Sequence, residues 1–278
     1  MTRLLPSMNN LSASVGQRSP SEKHVINRLY EREFDFELQP VTRKLSYMLA
    51  TVPRSGSTLC AIRLWQTGLL GAPMEYLNFQ IIGKFLARLG YAPSRDGFPE
   101  LRQIAGYWRQ VGAVRTSRNG VFGYKMFMAN FLDISRRYPS LLQEITPNFV
   151  IYLTRRDAVG QAISYSRALQ SKTWFADVRN AKPVEYRHEH VKHCLDMVRS
   201  QNDFWEDVFA TTNVTPIRID YESLCASPDE TLSHVMARMG LDWDRREALD
   251  IPLIRKQADD TSKAWRDAFL ADEARASH

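Results

Sequence analysis

The chain has 278 residues, 44% hydrophobic and 24% charged, which excludes a disordered chain and allows one large α/β domain or two small ones. Its net charge of +6, with 37 basic and 31 acidic residues along the whole length, admits an anionic ligand without choosing among nucleotide, sulfated or phosphorylated sugar and nucleic acid. Three widely spaced cysteines, Cys60, Cys194 and Cys225, make no CxxC metal pattern and no disulfide framework, which favours a reducing cytoplasm. No signal-peptide core and no apolar run of membrane-spanning length is present, so the expectation is a soluble cytoplasmic protein without an integral membrane segment.

Residues 1–21, rich in Ser, Asn and Pro without apolar period, read as a flexible tail. Residues 22–44 mix charges with Phe34, Phe36 and Leu38 and read as an N-terminal arm, either a short helix or a segment packed on the body. From 45 to 278 strands and helices alternate in what reads as a single α/β domain. Tyr47–Val52 is a short apolar run stopped by Pro53, hence a buried strand, and Ser57–Thr67 continues as a helix closed by Gly68. Gly120–Met128 predicts a second strand, and one helix is expected over 130–143. Phe149–Thr154 (FVIYLT) is the plainest strand, after which Asp157 caps a helix running toward Leu169. Val191, Cys194, Leu195, Val198, Trp205, Val208 and Phe209 recur at helical spacing and predict a long amphipathic helix over 187–210. Val214–Ile219 reads as a further strand, and Pro228 opens a helix ending at Gly240. Repeated β–α units imply a mostly parallel sheet with helices on both faces.

The junction of the first strand and helix, TVPRSGSTL (51–59), carries the chemistry. A strand, a tight Gly/Ser loop and a helix N-terminus aim backbone N–H groups and the helix dipole at one place, an anion site. Gly56 lets the backbone approach the anion, and Ser55, Ser57 and Thr58 add hydroxyl donors. A plain βα turn also favours Gly and Ser, but it has no need of Arg54 beside three hydroxyls. Set against GxxxxGK[ST], only Gly56 and Thr58 match; the first Gly falls on Thr51 and the Lys on Ser57. A γ-phosphoryl transferase would lack the lysine that neutralises its phosphates. A sulfuryl group carries less charge, so backbone donors and Arg54 suffice for it without a metal ion.

The order Pro-cation-Ser-Gly-Ser-Thr resembles the phosphosulfate loop of sulfotransferases that use 3′-phosphoadenosine 5′-phosphosulfate (PAPS). With RSGSTL (54–59), the segments GAPMEYLNF (71–79), NGVFGYKM (119–126), TRRDAVGQAISYSRALQSKTW (154–174) and RKQADDTSKAW (255–265) resemble the bacterial family of trehalose 2-sulfotransferase and lipopolysaccharide sulfotransferase. The likeness spans about 46–266; Arg156 departs from it, standing where a Pro is common. It implies the P-loop-like sulfotransferase fold and a PAPS-dependent carbohydrate sulfotransferase acting on a trehalose-like, glycolipid or lipopolysaccharide sugar. It also implies Glu75 as the general base, with Arg54 assisting, and Arg54, Ser55, Gly56, Ser57 and Thr58 around the phosphosulfate. Arg155, at the end of FVIYLT, and Ser164 match the pattern that holds the donor's 3′-phosphate; a salt bridge of Arg155 to Asp157 is the plainer alternative. Lys125 resembles a family lysine near the active site, and Lys256 a loop that closes over the nucleotide. Family members can be homodimers.

Two other readings stand beside this one. A P-loop small-molecule kinase would require Mg²⁺, and a non-catalytic polyanion-binding module would show clustered basic and aromatic residues, which this chain lacks. No nucleic-acid partner and no metal are expected: His188, His190 and His193 in HEHVKH miss the HExxH pattern and read as a solvated helix face. Tyr91, Tyr107, Trp108, Trp174 and Phe175 are candidates for stacking on sugar rings and equally for core packing.

Overall fold

The structure is a computed structural model that describes residues 25–36, 43–94, 96–174, 183–253 and 260–276. A short helix α1 (Val25–Arg28) and a 3₁₀ turn precede β1 (Leu45–Thr51), which leads through the PRSG loop into α2 (Ser57–Gln66). An irregular stretch, α3 (Gly83–Arg88) and α4 (Leu101–Arg115) separate this unit from β2 (Val121–Phe127). There follow α5 (Met128–Arg137), α6 (Pro139–Ile145), β3 (Phe149–Thr154), α7 (Ala158–Ser171) and α8 (His188–Thr211). Then come β4 (Ile217–Asp220), α9 (Tyr221–Ala226), α10 (Pro228–Arg238) and α11 (Asp260–Ala276).

The four strands form one parallel sheet in the order β2-β1-β3-β4. Leu45 to Thr51 pair with Val121 to Phe127 on one side, and Tyr47 to Thr51 with Phe149 to Leu153 on the other. Ser46 to Thr51 are buried without a break, which a strand shows only when helices cover both faces of its sheet. The α/β class read from the sequence is therefore the observed one. Because the chain goes from β1 to β2 and then crosses to β3 on the far side of β1, the crevice at the C-terminal ends of β1 and β3 is the switch point where open α/β sheets bind ligands.

Two expected elements differ. The helix over 130–143 is two helices, because Pro139 excludes the helical region for Tyr138, whose φ and ψ are −134° and 59°. The strand over Val214–Ile219 shrinks to Ile217–Asp220. Asn213 turns with φ +53°, Val214 N–H closes back on the Phe209 carbonyl at 2.9 Å, and Pro216 has no N–H for a ladder. Helix α4 was not anticipated although Ile104, Tyr107, Trp108 and Val111, all buried, repeat at helical spacing.

Residues 29–36 lie against α2, α3 and α4. Tyr30 sits edge-on to Tyr76 and Phe85. Asp35 grips Arg88 with bonds of 2.6 and 2.9 Å and lies 3.1 Å from Arg115 Nη2. Arg115 is 0% exposed; its Nη1 donates to the Leu29 and Phe34 carbonyls, and its guanidinium lies over Trp65 and Phe85. An arginine held out of water in this way depends on its carboxylate. Asp35→Ala is expected to lower the unfolding free energy by about 3 to 5 kcal/mol, read from the urea midpoint at unchanged slope. A loss below about 1 kcal/mol would mean that the pair behaves like an exposed one.

Candidate active site

Each strand delivers a functional group to the same edge of the sheet. Beyond β1, the loop 52–56 is held from several sides: Thr51 Oγ1 and Ser55 Oγ share a buried hydrogen bond of 2.7 Å, and Gln161 Nε2 of α7 donates to the Pro53 carbonyl at 2.8 Å. Trp205 Nε1 of α8 donates to the Thr51 carbonyl at 3.0 Å. Gly56 caps α2 with φ +85°, and a Cβ on it would stand 2.2 Å from Cδ2 of Tyr221, the first residue of α9. Glycine is required there both by conformation and by the ring against it. Ser57 and Thr58 begin α2, whose first-turn N–H groups lack intrahelical acceptors and face the mouth of the loop.

Arg54 adopts φ +65° without being glycine, and its side chain is tied down at both ends of the guanidinium. Nε donates to Ser164 Oγ at 2.9 Å and Nη1 to the Trp174 carbonyl at 2.5 Å. Arg155, just beyond β3, donates from Nη1 to the Arg54 carbonyl at 3.4 Å and lies over the Tyr221 ring at 5.2 Å. Its Nη2 also lies 3.4 Å from Asp157 Oδ2, so the anticipated salt bridge exists, but it is long, and the buried Arg155 Nε has no hydrogen-bond partner among the described residues. Asp157 is engaged elsewhere: it accepts from Gly160 N at 2.9 Å as the cap of α7 and from Arg266 of α11 at 2.7 Å. Burial, and then the charges of Arg155 and Arg167, lower the Arg54 guanidinium to about 10. Among the described residues no carboxylate pairs with Arg54, so an anion in the crevice would relieve this repulsion.

Glu75 reaches the site from the irregular stretch 71–79. Gly71, at φ +64°, makes the turn after α2; a side chain there would meet the carbonyls of Val121 and Arg115 at 2.8 and 2.9 Å. The stretch then runs beside β2, with Lys125 N donating to the Met74 carbonyl at 2.9 Å. Glu75, 9% exposed, sets Oε1 at 2.8 Å from Lys125 Nζ and accepts at Oε2 from Asn78 Nδ2 at 2.9 Å. Lys125, 2% exposed, also donates to Thr58 Oγ1 at 3.2 Å. One ammonium thus joins the carboxylate to the first turn of α2.

Of the residues singled out from the sequence, Arg54, Ser55, Gly56, Ser57, Thr58, Arg155 and Ser164 gather at the crevice, and Glu75 is joined to them through Lys125. Lys256 and Phe175 lie outside the described residues. Tyr107 and Trp108 are core residues, and half-buried Tyr91 packs on Tyr107, which removes the first two from contact with any ligand. Trp174 is 40% exposed beside Tyr165. Among the described residues no cluster of three His, Cys, Asp or Glu is placed to hold a metal, and no helix is long and apolar enough to cross a membrane. His190 Nδ1 meets Ser166 Oγ at 2.6 Å, and His188 Nε2 meets Glu273 at 2.7 Å.

Sequence reasoning missed Tyr221, Asn78 and Glu222, whose carboxylate accepts from Arg156 N and Asp157 N at 3.0 and 3.1 Å and so fixes the turn after β3. Tyr221 and Glu222 directly follow a strand, a position that signals the ligand edge of a parallel sheet once that strand's end is located correctly.

The model of one family, described as Stf0 sulphotransferase, matches residues 46–272. The chain belongs to the Stf0 sulphotransferase family. Two relatives are named trehalose 2-sulfotransferase. That of Mycolicibacterium smegmatis is 28% identical over 262 residues, covering 83% of this chain and 96% of that protein. That of Mycobacterium tuberculosis is 24% identical over 264 residues, covering 82% and 96%. A solved structure, the sulfotransferase domain of the Synechococcus PCC 7002 olefin synthase, is similar at 16% identity and a TM-score of 0.41, covering 84% of this chain and 98% of that one. The family match spans the loop, Glu75, Lys125, Arg155, Ser164 and Tyr221.

The contact between Gly56 and Tyr221 gives a direct test of the loop. Gly56→Ala should cost about 1 to 3 kcal/mol from the left-handed backbone alone, with the clash added, measured by urea unfolding. Tyr221→Ala in the same background should recover the clash and leave the backbone cost.

Proposed function

We propose that this protein transfers a sulfuryl group from PAPS to a carbohydrate hydroxyl, on a trehalose-like disaccharide or on the sugar of a glycolipid or lipopolysaccharide. The observation that carries this reading is the convergence of Arg54, Arg155 and Ser164 on the switch-point crevice, with a buried carboxylate tied to the same loop by Lys125. The names of the two mycobacterial relatives support a sugar acceptor. PAPS supplies the sulfuryl group and leaves as 3′,5′-adenosine diphosphate.

The residues divide the work by position. Glu75 takes the proton of the acceptor hydroxyl as its oxygen bonds to sulfur, since a neutral sugar hydroxyl is a poor nucleophile. The first-turn N–H groups of α2, the Ser57 and Thr58 hydroxyls and Arg54 stabilise the negative charge that grows on the phosphate oxygen as the S–O bond breaks. Gly56 lets the backbone approach, and Ser55 braces the loop against Thr51. Arg155, with its unpartnered Nε, and Ser164, which accepts from Arg54 and keeps an O–H to donate, take the 3′-phosphate. This reading assigns Lys256 to nucleotide binding and residues 45–278 to one catalytic domain, and it takes the protein as cytoplasmic, acting without a metal ion and able to pair as a homodimer.

Two measurements test it. Glu75→Gln should lower kcat about 10²- to 10⁴-fold while leaving donor binding intact, read as transfer of radiolabelled sulfate from PAPS to trehalose, glycolipid and lipopolysaccharide sugars. Normal turnover in that variant would remove Glu75 from the mechanism.

Calorimetric titration in EDTA should show 3′,5′-adenosine diphosphate binding at least about tenfold more tightly than the 5′-monophosphate, because charge-assisted bonds to the 3′-phosphate each contribute about 1.5 to 3 kcal/mol. Arg155→Ala should weaken only the 3′-phosphorylated ligand. Mg²⁺-dependent ATP binding without preference for the 3′-phosphate would favour a kinase instead.

A further inference from the structure

Residues 29–36 precede the segment matched by the family model, which begins at residue 46, yet they reach the carboxylate-bearing stretch. The Tyr30 hydroxyl accepts a hydrogen bond from the backbone N–H of Glu75 at 3.1 Å. We infer that Tyr30 is a positioning residue for sulfuryl transfer, its hydroxyl fixing the peptide that aims Glu75 at the acceptor. The inference rests on Glu75 as the base.

Glu75 stands in a stretch with neither helix nor strand, so no ladder of backbone bonds sets its orientation. Its carbonyl accepts from Asn78 N at 3.1 Å, and its carboxylate is shared between Lys125 and Asn78. The N–H is the remaining attachment, and Tyr30 supplies the acceptor. The ring is itself immobilised, with its centroid 6.2 Å from that of Tyr76 and 5.4 Å from that of Phe85, both edge-on. The backbone on either side is anchored too, because the carbonyls of Leu29 and Phe34 hold the buried Arg115 while Asp35 holds Arg88 and Arg115. Burial, and after it the Glu75 carboxylate, pushes the Tyr30 phenol well above its ordinary value, so it stays neutral. Among the described residues nothing accepts from its O–H, so the Glu75 N–H is the contact given for this hydroxyl.

Phenylalanine keeps the ring contacts and removes only the hydroxyl, so Tyr30→Phe in the full chain separates positioning from packing. Losing the acceptor should speed hydrogen exchange at the Glu75 amide about tenfold or more, with little change in the thermal midpoint. With PAPS and trehalose, kcat should fall about tenfold at unchanged KM for PAPS, the mark of a misaimed catalytic group. Added to Glu75→Gln, Tyr30→Phe should have no further effect, since it acts only through that carboxylate. Unchanged exchange at Glu75, or the full kcat loss persisting in the Glu75→Gln background, would overturn the inference. Normal turnover by Glu75→Gln alone would instead defeat the reading of Glu75 as base, while the exchange measurement still decides whether Tyr30 holds its peptide.

Discussion

Arg54 occupies a left-handed conformation at the end of β1, and everything at the crevice depends on how that strain is held. A residue with a Cβ keeps φ at +65° only where its surroundings over-determine it. Here they do so through unlike parts of the fold. Ser164 on α7 and the Trp174 carbonyl hold the side chain, Arg155 beyond β3 holds the carbonyl, and Gln161 and Trp205 hold the residues just before it. The parallel sheet makes this possible, because its strand ends lie side by side and the helices after them return at the same edge. A tight loop and two helices are thereby fixed around one point where positive charge collects.

That collection of charge is unfavourable for the protein alone. Arg54 is lowered to about 10, first by burial and then by the charges of the neighbouring arginines. The carboxylates nearby are spent on backbone geometry. Asp157 caps α7 and meets Arg266, and Glu222 takes the N–H groups of Arg156 and Asp157. A crevice arranged this way presents Arg54 held by neutral oxygens and Arg155 held by a carbonyl and one long ion pair to Asp157, an arrangement an anion can use without first breaking a strong ion pair.

The strand–loop–helix at 46–66 was legible because three independent signals coincide there: an apolar run, a Gly/Ser turn and a helical period. FVIYLT and its Asp157 cap were legible for the same reason. The break at Tyr138 was written in Pro139, yet the apolar period across it is strong enough to hide the stop. The shortened β4 concealed more, since placing the strand over 214–219 moves Tyr221 and Glu222 away from the ligand edge where the structure puts them. Glu75 was singled out mostly through family resemblance, because its surroundings are irregular and its partners Lys125, Asn78 and Tyr30 come from three segments. Arg115 looks like any helix-end arginine; its burial is decided by Asp35, eighty residues earlier in the chain, and a period count does not reach that far.

The absent Walker lysine now has a structural counterpart. A lysine after Gly56 would reach the loop's anion from the helix itself and bring nothing else with it. In this chain the cations arrive separately, Arg54 from before the glycine, Arg155 from the neighbouring strand end and Lys125 from β2, and each arrives attached to another function. Arg54 carries Ser164 with it, and Lys125 carries Glu75. A phosphoryl transferase needs dense charge at the transferring group and enlists a metal to complete it. A less charged transferring group needs less, and the cation nearest α2 is then left to hold a carboxylate within reach of the loop. Lys125 thereby couples a buried carboxylate to the first turn of α2, where Ser57 stands at the Walker lysine's position.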